Sequence, residues 1–299
     1  MSIEKWLKEN TRSLAGKRIA ITGSTGGLGL ALSAHLVRLG ARLILLDRNR
    51  ARSEANKERL LALAPRAEVC CMSLDLSDMG EVRAVAEELL RDVPDVFIHN
   101  AGAYSIPRYT CDTGYDNVYQ INFVAPYYMI RTLLPAMREK GGHVMVVGSI
   151  AHRYGKIDEN DVDFHTRRAA SKVYGNAKRY LMFALYALFR EETAVTLAVT
   201  HPGITPTGIT AHYPKVIYAL IKYPMKLLFM RPARAVLSLL KGVFSPTADG
   251  EWIGPRVFDV WGLPTRKKLR SVKKEEAEKI ASIAEEVYER AGCFRVSLG

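Results

Sequence analysis

Short apolar runs alternate along the chain with longer stretches in which apolar residues recur every three or four positions. The apolar runs have the length of buried strands, and they lie at 18–22, 42–46, 67–73, 96–99, 143–147, 195–199 and 256–260. The longer stretches have helical length, and they include 28–39, 50–64, 78–91, 115–140 and 167–191. Apolar strands separated by helices are typical of a parallel sheet covered on both faces. The pattern therefore predicts an α/β fold with a doubly wound parallel sheet.

The alternation of strands and helices also indicates how the chain is divided. No linker rich in Pro, Gly or Ser interrupts it before residue 245, so we expect a single domain over 16–262. An amphipathic helical extension precedes the domain at 1–15. A basic C-terminal extension follows at 263–299, and within it 273–291 has the composition of a solvated helix.

Composition and cysteine usage narrow the class of protein. Over 299 residues, 48% are hydrophobic and 25% charged, which is ordinary for a globular protein. The four cysteines show no metal-ligand spacing, and a disulfide framework is not expected in a chain of this size, so a reduced, intracellular setting fits best. The first residues do not resemble a secretory signal, and no apolar run reaches the ~18 residues that a spanning helix needs.

The net charge of +12 raises the question of an anionic partner. The basic residues are scattered and do not form a stripe with aromatic residues, so we expect no nucleic-acid partner. An anionic membrane surface or a phosphate-bearing cofactor accounts better for this charge.

A glycine-rich turn lies between the first strand and the first long helix. Gly23, Gly27 and Gly29 allow a tight turn and a close approach of the backbone to a pyrophosphate at the helix N-terminus. Ser24 and Leu28 belong to the same turn. An ordinary strand–helix turn is the alternative interpretation, and the spacing of these glycines differs from the commonest dinucleotide fingerprint.

Asp47 ends the second strand at the distance where a dinucleotide-binding fold places its ribose ligand. A carboxylate there can accept hydrogen bonds from both ribose hydroxyls and repel a 2′-phosphate, which favours NAD over NADP. Arg48 follows directly and could instead bind that phosphate.

Polar and small residues end the next two strands. Asp75 and Leu76 follow the third strand, where a side-chain acceptor could meet the adenine amino group. Asn100, Ala101 and Gly102 end the fourth and allow close packing against a cofactor, although strand ends often carry such residues for the sake of the turn.

Tyr174 and Lys178 lie four residues apart, downstream of Ser149. The same Tyr-x-x-x-Lys spacing recurs at Tyr218 and Lys222, where we expect a packing role, so the spacing alone does not identify a site.

The motifs taken together resemble the short-chain dehydrogenase/reductase family in its single-domain form. The matching elements occur in the family's order over residues 17–262, and they are TGSTGGLG (22–29), NAG (100–102), Asn122, Ser149, YGNAK (174–178) and PG (202–203). The resemblance implies a Rossmann-type sheet, a nicotinamide cofactor and a Ser–Tyr–Lys site with an asparagine behind it.

The chemistry of these side chains fits the implied roles. Tyr174 would exchange a proton with the substrate oxygen, and the charge of Lys178, one helical turn away, would favour its phenolate and hold the nicotinamide ribose. Ser149 would hold the substrate oxygen, and Asn122 would bind a water in a proton relay. The chain departs from the family pattern at Gly148, Ala177 and His99, none of which removes a proton-transfer group.

The segment after the sixth strand is expected to contact the substrate. Pro202 and Gly203 begin it, and Thr205 and Thr207 could bind the cofactor's carboxamide or diphosphate. Within a substrate lid at about 204–230, the apolar stretch 216–230 could line a lipophilic pocket, lie in a membrane interface, or pack on its own domain or on a second subunit.

The closing pattern GP (254–255) and FDVWG (258–262) resembles retinol-dehydrogenase-like members of the family. We therefore predict a cytoplasmic, NAD(P)-dependent oxidoreductase of lipophilic alcohols and carbonyls. Membrane association and homo-oligomer formation are open alternatives. A catalytically silent nucleotide-sensing or scaffold protein is the alternative. The histidines show no metal spacing, so no metal site is expected.

Overall fold

A parallel sheet closed by one antiparallel strand forms the centre of the molecule. The computed structural model describes residues 1–204, 230–269 and 273–293. Within them the sheet has eight strands in the order β3-β2-β1-β4-β5-β6-β7-β8, and only β8 runs antiparallel to its neighbour. The strands are β1 Arg18–Thr22, β2 Arg42–Asp47, β3 Val69–Ser73, β4 Val96–His99, β5 His143–Val147, β6 Thr196–Thr200, β7 Glu251–Val257 and β8 Trp261–Lys268.

Helices cover both faces of this sheet. They are α1 Ile3–Asn10, α2 Gly27–Arg38, α3 Arg50–Leu63, α4 Met79–Arg91, α5 Asn117–Tyr119, α6 Ala125–Lys140, α7 Ala170–Leu188, α8 Pro232–Phe244 and α9 Lys274–Cys293. A π-helical turn, Gln120–Val124, joins α5 to α6, and a 3₁₀ turn, Ile150–Tyr154, follows β5. No helix within the described ranges is both long and apolar enough to cross a bilayer.

Successive residues along a strand point to opposite faces of the sheet and pack into two separate hydrophobic cores. Phe97 and Ile98 are both fully buried, yet Phe97 packs in the cluster under α4, α6 and α7, whereas Ile98 packs under α1, α2, α3 and α8. Burial of each such side chain contributes about 1.5–3 kcal/mol. The predicted doubly wound sheet is confirmed. The carboxyl ends of its parallel strands all lie at the same edge of the sheet.

The end of the domain differs from the prediction. The prediction of a strand at 256–260 is wrong, because Phe258 and Asp259 have positive φ angles of 50° and 60° and form a turn. That turn joins β7 and β8 into a hairpin, so the sheet continues beyond residue 262.

The C-terminal helix is not the solvated element that its composition predicts. Ile280 and Val287 of α9 are buried in the core that also contains α6 and α7. Glu276 accepts two hydrogen bonds from Arg179 of α7, at 2.8 and 2.7 Å. Apolar residues three, four and seven positions apart give α9 one buried stripe despite its many charges.

Candidate active site

The glycine turn after β1 is packed so closely that side chains would not fit. A Cβ on Gly29 would lie 2.1 Å from the carbonyl oxygen of Gly23, and a Cβ on Gly23, whose φ is +69°, would lie 2.8 Å from Ala101 Cα. Gly27 begins α2, and its N-cap Gly26 offers no side-chain hydrogen bond to the first turn. This exposed helix N-terminus fits the phosphates of a dinucleotide.

Hydrogen bonds hold the predicted strand-end residues beside this turn. Asn100 Nδ2 donates to the carbonyl oxygens of Thr22 and Gly23, at 3.1 and 2.9 Å. Thr22 Oγ1 accepts from the backbone N–H groups of Asn100 and Ala101, at 3.1 and 3.0 Å. The NAG segment therefore fixes the position of the glycine turn.

Asp47 is buried, and its own chain fills its hydrogen-bonding capacity. One carboxylate oxygen accepts from the hydroxyls of Ser24 (2.5 Å) and Ser53 (2.9 Å), and the other accepts from Thr25 N (3.1 Å) and Thr25 Oγ1 (3.3 Å). A carboxylate offers about four acceptor positions. Asp47 thus organises the glycine turn, and its predicted bond to a ribose would require displacement of one of these donors.

Arg48 and Asp75 form a loose pair at the same edge of the sheet. Arg48 Nε lies 3.9 Å from Asp75 Oδ2, and the Arg48 side chain is 74% exposed. The other oxygen of Asp75 accepts from the N–H and the hydroxyl of Ser77, at 2.9 and 2.7 Å, while Leu76 is buried.

Ser149, Tyr174 and Lys178 meet at the carboxyl end of β5. The Ser149 hydroxyl caps the 3₁₀ turn by accepting from Ala151 N (3.1 Å), and the Ser149 side chain lies close enough to Tyr174 to lower the pKa of its phenol. Lys178 is 1% exposed, donates from Nζ to the carbonyl oxygen of Val147 (2.9 Å), and lies 5.7 Å from the centre of the Tyr174 ring. The sequence-predicted triad is therefore brought together.

The protonation of this triad differs from the expectation. Burial raises the pKa of Tyr174 to about 12, although the nearby Ser149 side chain opposes the rise. Burial lowers the pKa of Lys178 to about 7. Because burial disfavours the charged form of both groups, Tyr174 keeps its proton at neutral pH.

Asn122 lies in the π-helical turn with one half of its amide unsatisfied. Its Nδ2 donates to the carbonyl oxygens of Val118 (2.8 Å) and Ala103 (2.9 Å). Its Oδ1 is buried and has no hydrogen-bond partner in the described part of the chain. This acceptor faces the space above Gly102, where a Cβ would lie 2.8 Å from it.

An apolar wall, which sequence reasoning missed, lies beside Tyr174. Tyr104 packs edge-on against the Tyr174 ring with centroids 5.3 Å apart, and Phe164 forms a cluster with Val118 and Val173 that Tyr174 joins. Tyr104 follows the NAG segment closely, which could have marked it as a site residue. Phe164 has a φ of 57° within an irregular loop, and no periodic pattern predicts its position.

Two buried imidazoles lie behind Ser149. His201 stacks on Trp252 with centroids 4.9 Å apart, and His152 meets the same ring edge-on at 5.6 Å. The ring of His152 also hydrogen-bonds the carbonyl oxygen of Ser149 at 2.6 Å. Burial lowers the pKa of both histidines to about 4, so they are neutral packing residues.

The loop before α7 gathers three groups that can bind metals. The ligand atoms of Asp161, Asp163 and His165 lie within 4.8 Å of one another. Asp163 accepts from Asp116 N at 2.6 Å, and Asp161 accepts from the hydroxyl of Thr166. These bonds within the protein account for the cluster without a metal.

Part of the predicted substrate segment lies outside the described residues, namely Thr205, Thr207, Tyr218, Lys222 and 216–229. Pro202 and Gly203 are described and buried. Gly203 has a φ of +83°, and a Cβ there would lie within 3.0 Å of Met230, Val260 and Pro255.

Proteins of known sequence and structure resemble this chain over most of its length. Human retinol dehydrogenase 14 is 30% identical over 255 residues, which are 79% of this chain and 76% of that protein. Bovine dehydrogenase/reductase SDR family member 13 is 32% identical over 230 residues, 74% of this chain and 60% of that one.

Solved structures share the fold. An uncharacterised protein from Mycobacterium paratuberculosis superposes with a TM-score of 0.73 at 23% identity, covering 94% of this chain and 96% of its own. The RhlG/NADP active-site complex of Pseudomonas aeruginosa superposes with a TM-score of 0.58 at 24% identity, covering 79% and 91%.

The family model for short chain dehydrogenases matches residues 17–215, which contain the glycine turn, the NAG segment and the Ser–Tyr–Lys group. This chain belongs to the short-chain dehydrogenase/reductase family of oxidoreductases.

Proposed function

We propose that this protein interconverts a lipophilic alcohol and its ketone or aldehyde, with a nicotinamide dinucleotide as cofactor. The observation that carries this proposal is the convergence of three side chains, with Lys178 Nζ 5.7 Å from the centre of the Tyr174 ring and Ser149 beside the tyrosine. These groups lie at the carboxyl end of the strands, where the glycine turn fits a dinucleotide.

The roles of the side chains follow from their protonation. When bound, the nicotinamide ring supplies or accepts the hydride. Tyr174, with a pKa of about 12, keeps its proton at neutral pH and donates it to a carbonyl oxygen. Ser149 donates a second hydrogen bond to that oxygen and stabilises its developing negative charge. Lys178 gives a proton back to the tyrosine, Asn122 would hold a water that replaces the proton of Lys178, and the N-terminus of α2 would hold the cofactor's phosphates.

We propose NAD as the preferred cofactor. The Asp47 carboxylate ends β2 and accepts hydrogen bonds from Ser24 and Thr25 of the glycine turn, and its charge disfavours a 2′-phosphate whether or not it binds the ribose. Arg48 is exposed and only loosely paired, so it competes with this effect.

Arg48→Gln tests the choice of cofactor. Relative to wild type, kcat/KM with NADP should fall about five- to tenfold, since one phosphate contact is lost, while kcat/KM with NAD stays within about twofold. A wild type that uses NADP more efficiently than NAD would contradict the proposed preference.

The apolar wall supports a lipophilic substrate. Tyr104 packs edge-on against the catalytic tyrosine, and Ile106 and Tyr174 both pack against the apolar cluster that contains Phe164. Relatives at about 30% identity are named retinol dehydrogenases. Membrane contact through 216–230, a cytoplasmic location and homo-oligomers stay predictions.

A substrate panel tests the reaction itself. Purified protein is incubated with retinoid, steroid and long-chain alcohols and carbonyls and with each cofactor, and the absorbance of the reduced nicotinamide is followed. Tyr174→Phe should lower kcat at least ~10²-fold and leave cofactor affinity nearly unchanged.

Tyr180→Phe is the matched control for Tyr174→Phe. Tyr180 lies on the same helix, and its hydroxyl is buried without a partner among the described residues, so its loss should leave turnover intact. Tight cofactor binding with no turnover on any substrate would favour the silent scaffold. Full turnover in Tyr174→Phe would exclude Tyr174 from the chemistry.

A further inference from the structure

Arg179, the residue after Lys178 on α7, joins the C-terminal helix to the turn that begins at Ser149. Its Nη1 donates to the carbonyl oxygen of His152, inside that 3₁₀ turn, at 3.2 Å. Its Nε and Nη2 donate to the two carboxylate oxygens of Glu276 on α9, at 2.8 and 2.7 Å. One guanidinium group therefore contacts both α9 and the active-site turn.

The other contacts of this guanidinium fix its orientation. A carboxylate that accepts from two of its nitrogens holds its plane. The guanidinium carbon also lies over the ring of Phe183, 5.5 Å from the ring centre. The side chains of Arg179 and Glu276 are only 13% and 24% exposed, so water competes little for their bonds. Nη1 is thereby held in place as a donor to His152.

His152 in turn holds the backbone of Ser149. Its backbone N–H and its ring Nδ1 lie 3.1 and 2.6 Å from the carbonyl oxygen of Ser149. A carbonyl oxygen only accepts hydrogen bonds, so Nδ1 carries a hydrogen and donates it. Because two groups of His152 bind the same oxygen, a displacement of His152 also displaces Ser149.

The turn packs directly on the part of α7 that carries Tyr174. Gly175 follows the tyrosine, and a Cβ there would lie 2.2 Å from the carbonyl oxygen of Ala151. This contact sets how closely the turn approaches the helix, but a glycine has no side chain to stop the turn from sliding along it. The hydrogen bond from Arg179 supplies that restraint.

A second ionic contact of the turn leads away from α7. Arg153 Nη2 lies 3.2 Å from Asp259 Oδ2, in the turn between β7 and β8, and the Arg153 side chain is 46% exposed. This pair holds the active-site turn to the hairpin. It does not fix Ser149 relative to Tyr174, which belongs to α7.

We propose that Arg179 is a positioning residue for the reaction, and that Glu276 of α9 keeps it in that role. Acting through His152, the pair fixes the Ser149 hydroxyl relative to Tyr174, and Arg179 itself is assigned no contact with the reacting atoms. The family model ends at residue 215, before α9 begins, so the family match does not supply this role. The C-terminal helix is then a requirement of the active site.

The positioning role rests on the proposed function, whereas the restraint on the turn does not. Hydrogen exchange measured by mass spectrometry tests the restraint without any activity. In Arg179→Met, the peptide that contains residues 149–155 should exchange about fivefold faster than in wild type, because the turn opens more often. Glu276→Gln should give a smaller acceleration, since an amide oxygen still accepts one hydrogen bond.

Arg131→Met is the matched control. Arg131 lies on α6 and pairs with Glu285 of the same C-terminal helix, at 3.5 Å, so its loss also removes an ionic contact of α9. It should leave exchange at 149–155 unchanged. Unchanged exchange in Arg179→Met, or an equal acceleration in Arg131→Met, would overturn the proposal. If Arg179→Met does not fold, Glu276→Gln decides the question by the same comparison, because it changes almost no volume.

A double-mutant cycle tests the positioning role. Arg179→Met should lower kcat for carbonyl reduction about tenfold, with cofactor Kd unchanged and Arg131→Met within about twofold of wild type. In a Ser149→Ala background, Arg179→Met should change kcat less than about twofold, because no serine hydroxyl is left to position.

The two results separate positioning from stability. An equal loss of kcat with and without Ser149 would overturn the positioning role, since a general effect on the fold does not depend on the serine. If wild type turns over no substrate, the proposed function fails, while hydrogen exchange still decides whether Arg179 and Glu276 restrain the turn.

Discussion

The desolvated Lys178 makes a measurable prediction about stability and pH. Its side chain is 1% exposed, and burial lowers its pKa from 10.5 to about 7. Between these two values the unfolded chain holds a proton that the folded chain has released. The free energy of unfolding therefore rises with pH across this window. As pH falls, the stability that the neutral Lys178 provides decreases, and it is lost once pH has fallen through about 7.

The size of the effect follows from the shift. Each unit of pKa difference corresponds to about 1.4 kcal/mol, and the folded amine is about half protonated at pH 7. Raising the pH from about 7 to 8.5 should then stabilise wild type by roughly 1.5 kcal/mol through Lys178 alone. Other groups also titrate, and the raised pKa of the Cys70 and Cys111 thiols opposes the trend toward pH 9. We therefore compare the free energies of unfolding of wild type and Lys178→Met, because the contributions of the other groups cancel in their difference.

The assay is urea unfolding followed by tryptophan fluorescence at fixed ionic strength, at pH 7, 7.5, 8 and 8.5. The free energy of unfolding of wild type minus that of Lys178→Met should increase by about 1–2 kcal/mol from the lowest to the highest pH. Lys172→Met, at an exposed lysine of the same helix, should show a constant difference. A constant difference for Lys178→Met as well would refute the burial argument and, with it, the protonation assigned to the triad.

Further substitutions test separate parts of the structure. Gly29→Ala should weaken cofactor binding at least about tenfold by calorimetry, since its Cβ would lie 2.1 Å from a backbone oxygen of the turn. Gly26→Ala, with 3.6 Å to the same oxygen, should bind normally, and equal losses would contradict the steric reasoning. Ile280→Ala should lower the free energy of unfolding by about 2–5 kcal/mol, and the half-buried Ile283→Ala by clearly less; a negligible cost at Ile280 would mean that α9 is not packed in solution. Ser149→Ala should lower kcat by about 10²–10³ with cofactor Kd unchanged, and an unaltered kcat would remove Ser149 from the reaction.

Periodic burial made most of the sheet predictable from sequence. The strand at 143–147 is predicted and observed with the same bounds, because every residue after the first is buried against a neighbouring strand. The hairpin of β7 and β8 was missed, since it depends on the left-handed backbone of Phe258 and Asp259, neither of which is a glycine. The many charges of α9 predict a solvated helix, whereas its one apolar face packs it into the core.

The identity of the candidate site residues was predictable, because the motifs occur in a fixed order. Their protonation and hydrogen bonds were not, because these depend on residues that are distant in the sequence. The meeting of Ser149, Tyr174 and Lys178 follows from motif order. Burial raises the pKa of Tyr174 and lowers that of Lys178, and spacing along the chain does not reveal this burial. In the same way, the donors that saturate Asp47 include Ser53, which comes from a separate helix.

A crystal structure with the cofactor bound tests the central claim most directly, because it measures where the Tyr174 hydroxyl points. This oxygen should lie within about 2.5–3 Å of Ser149 Oγ and face the nicotinamide ring. A hydroxyl turned into the packed interior, away from that ring, would contradict the proposed chemistry and leave a protein that only binds the nucleotide.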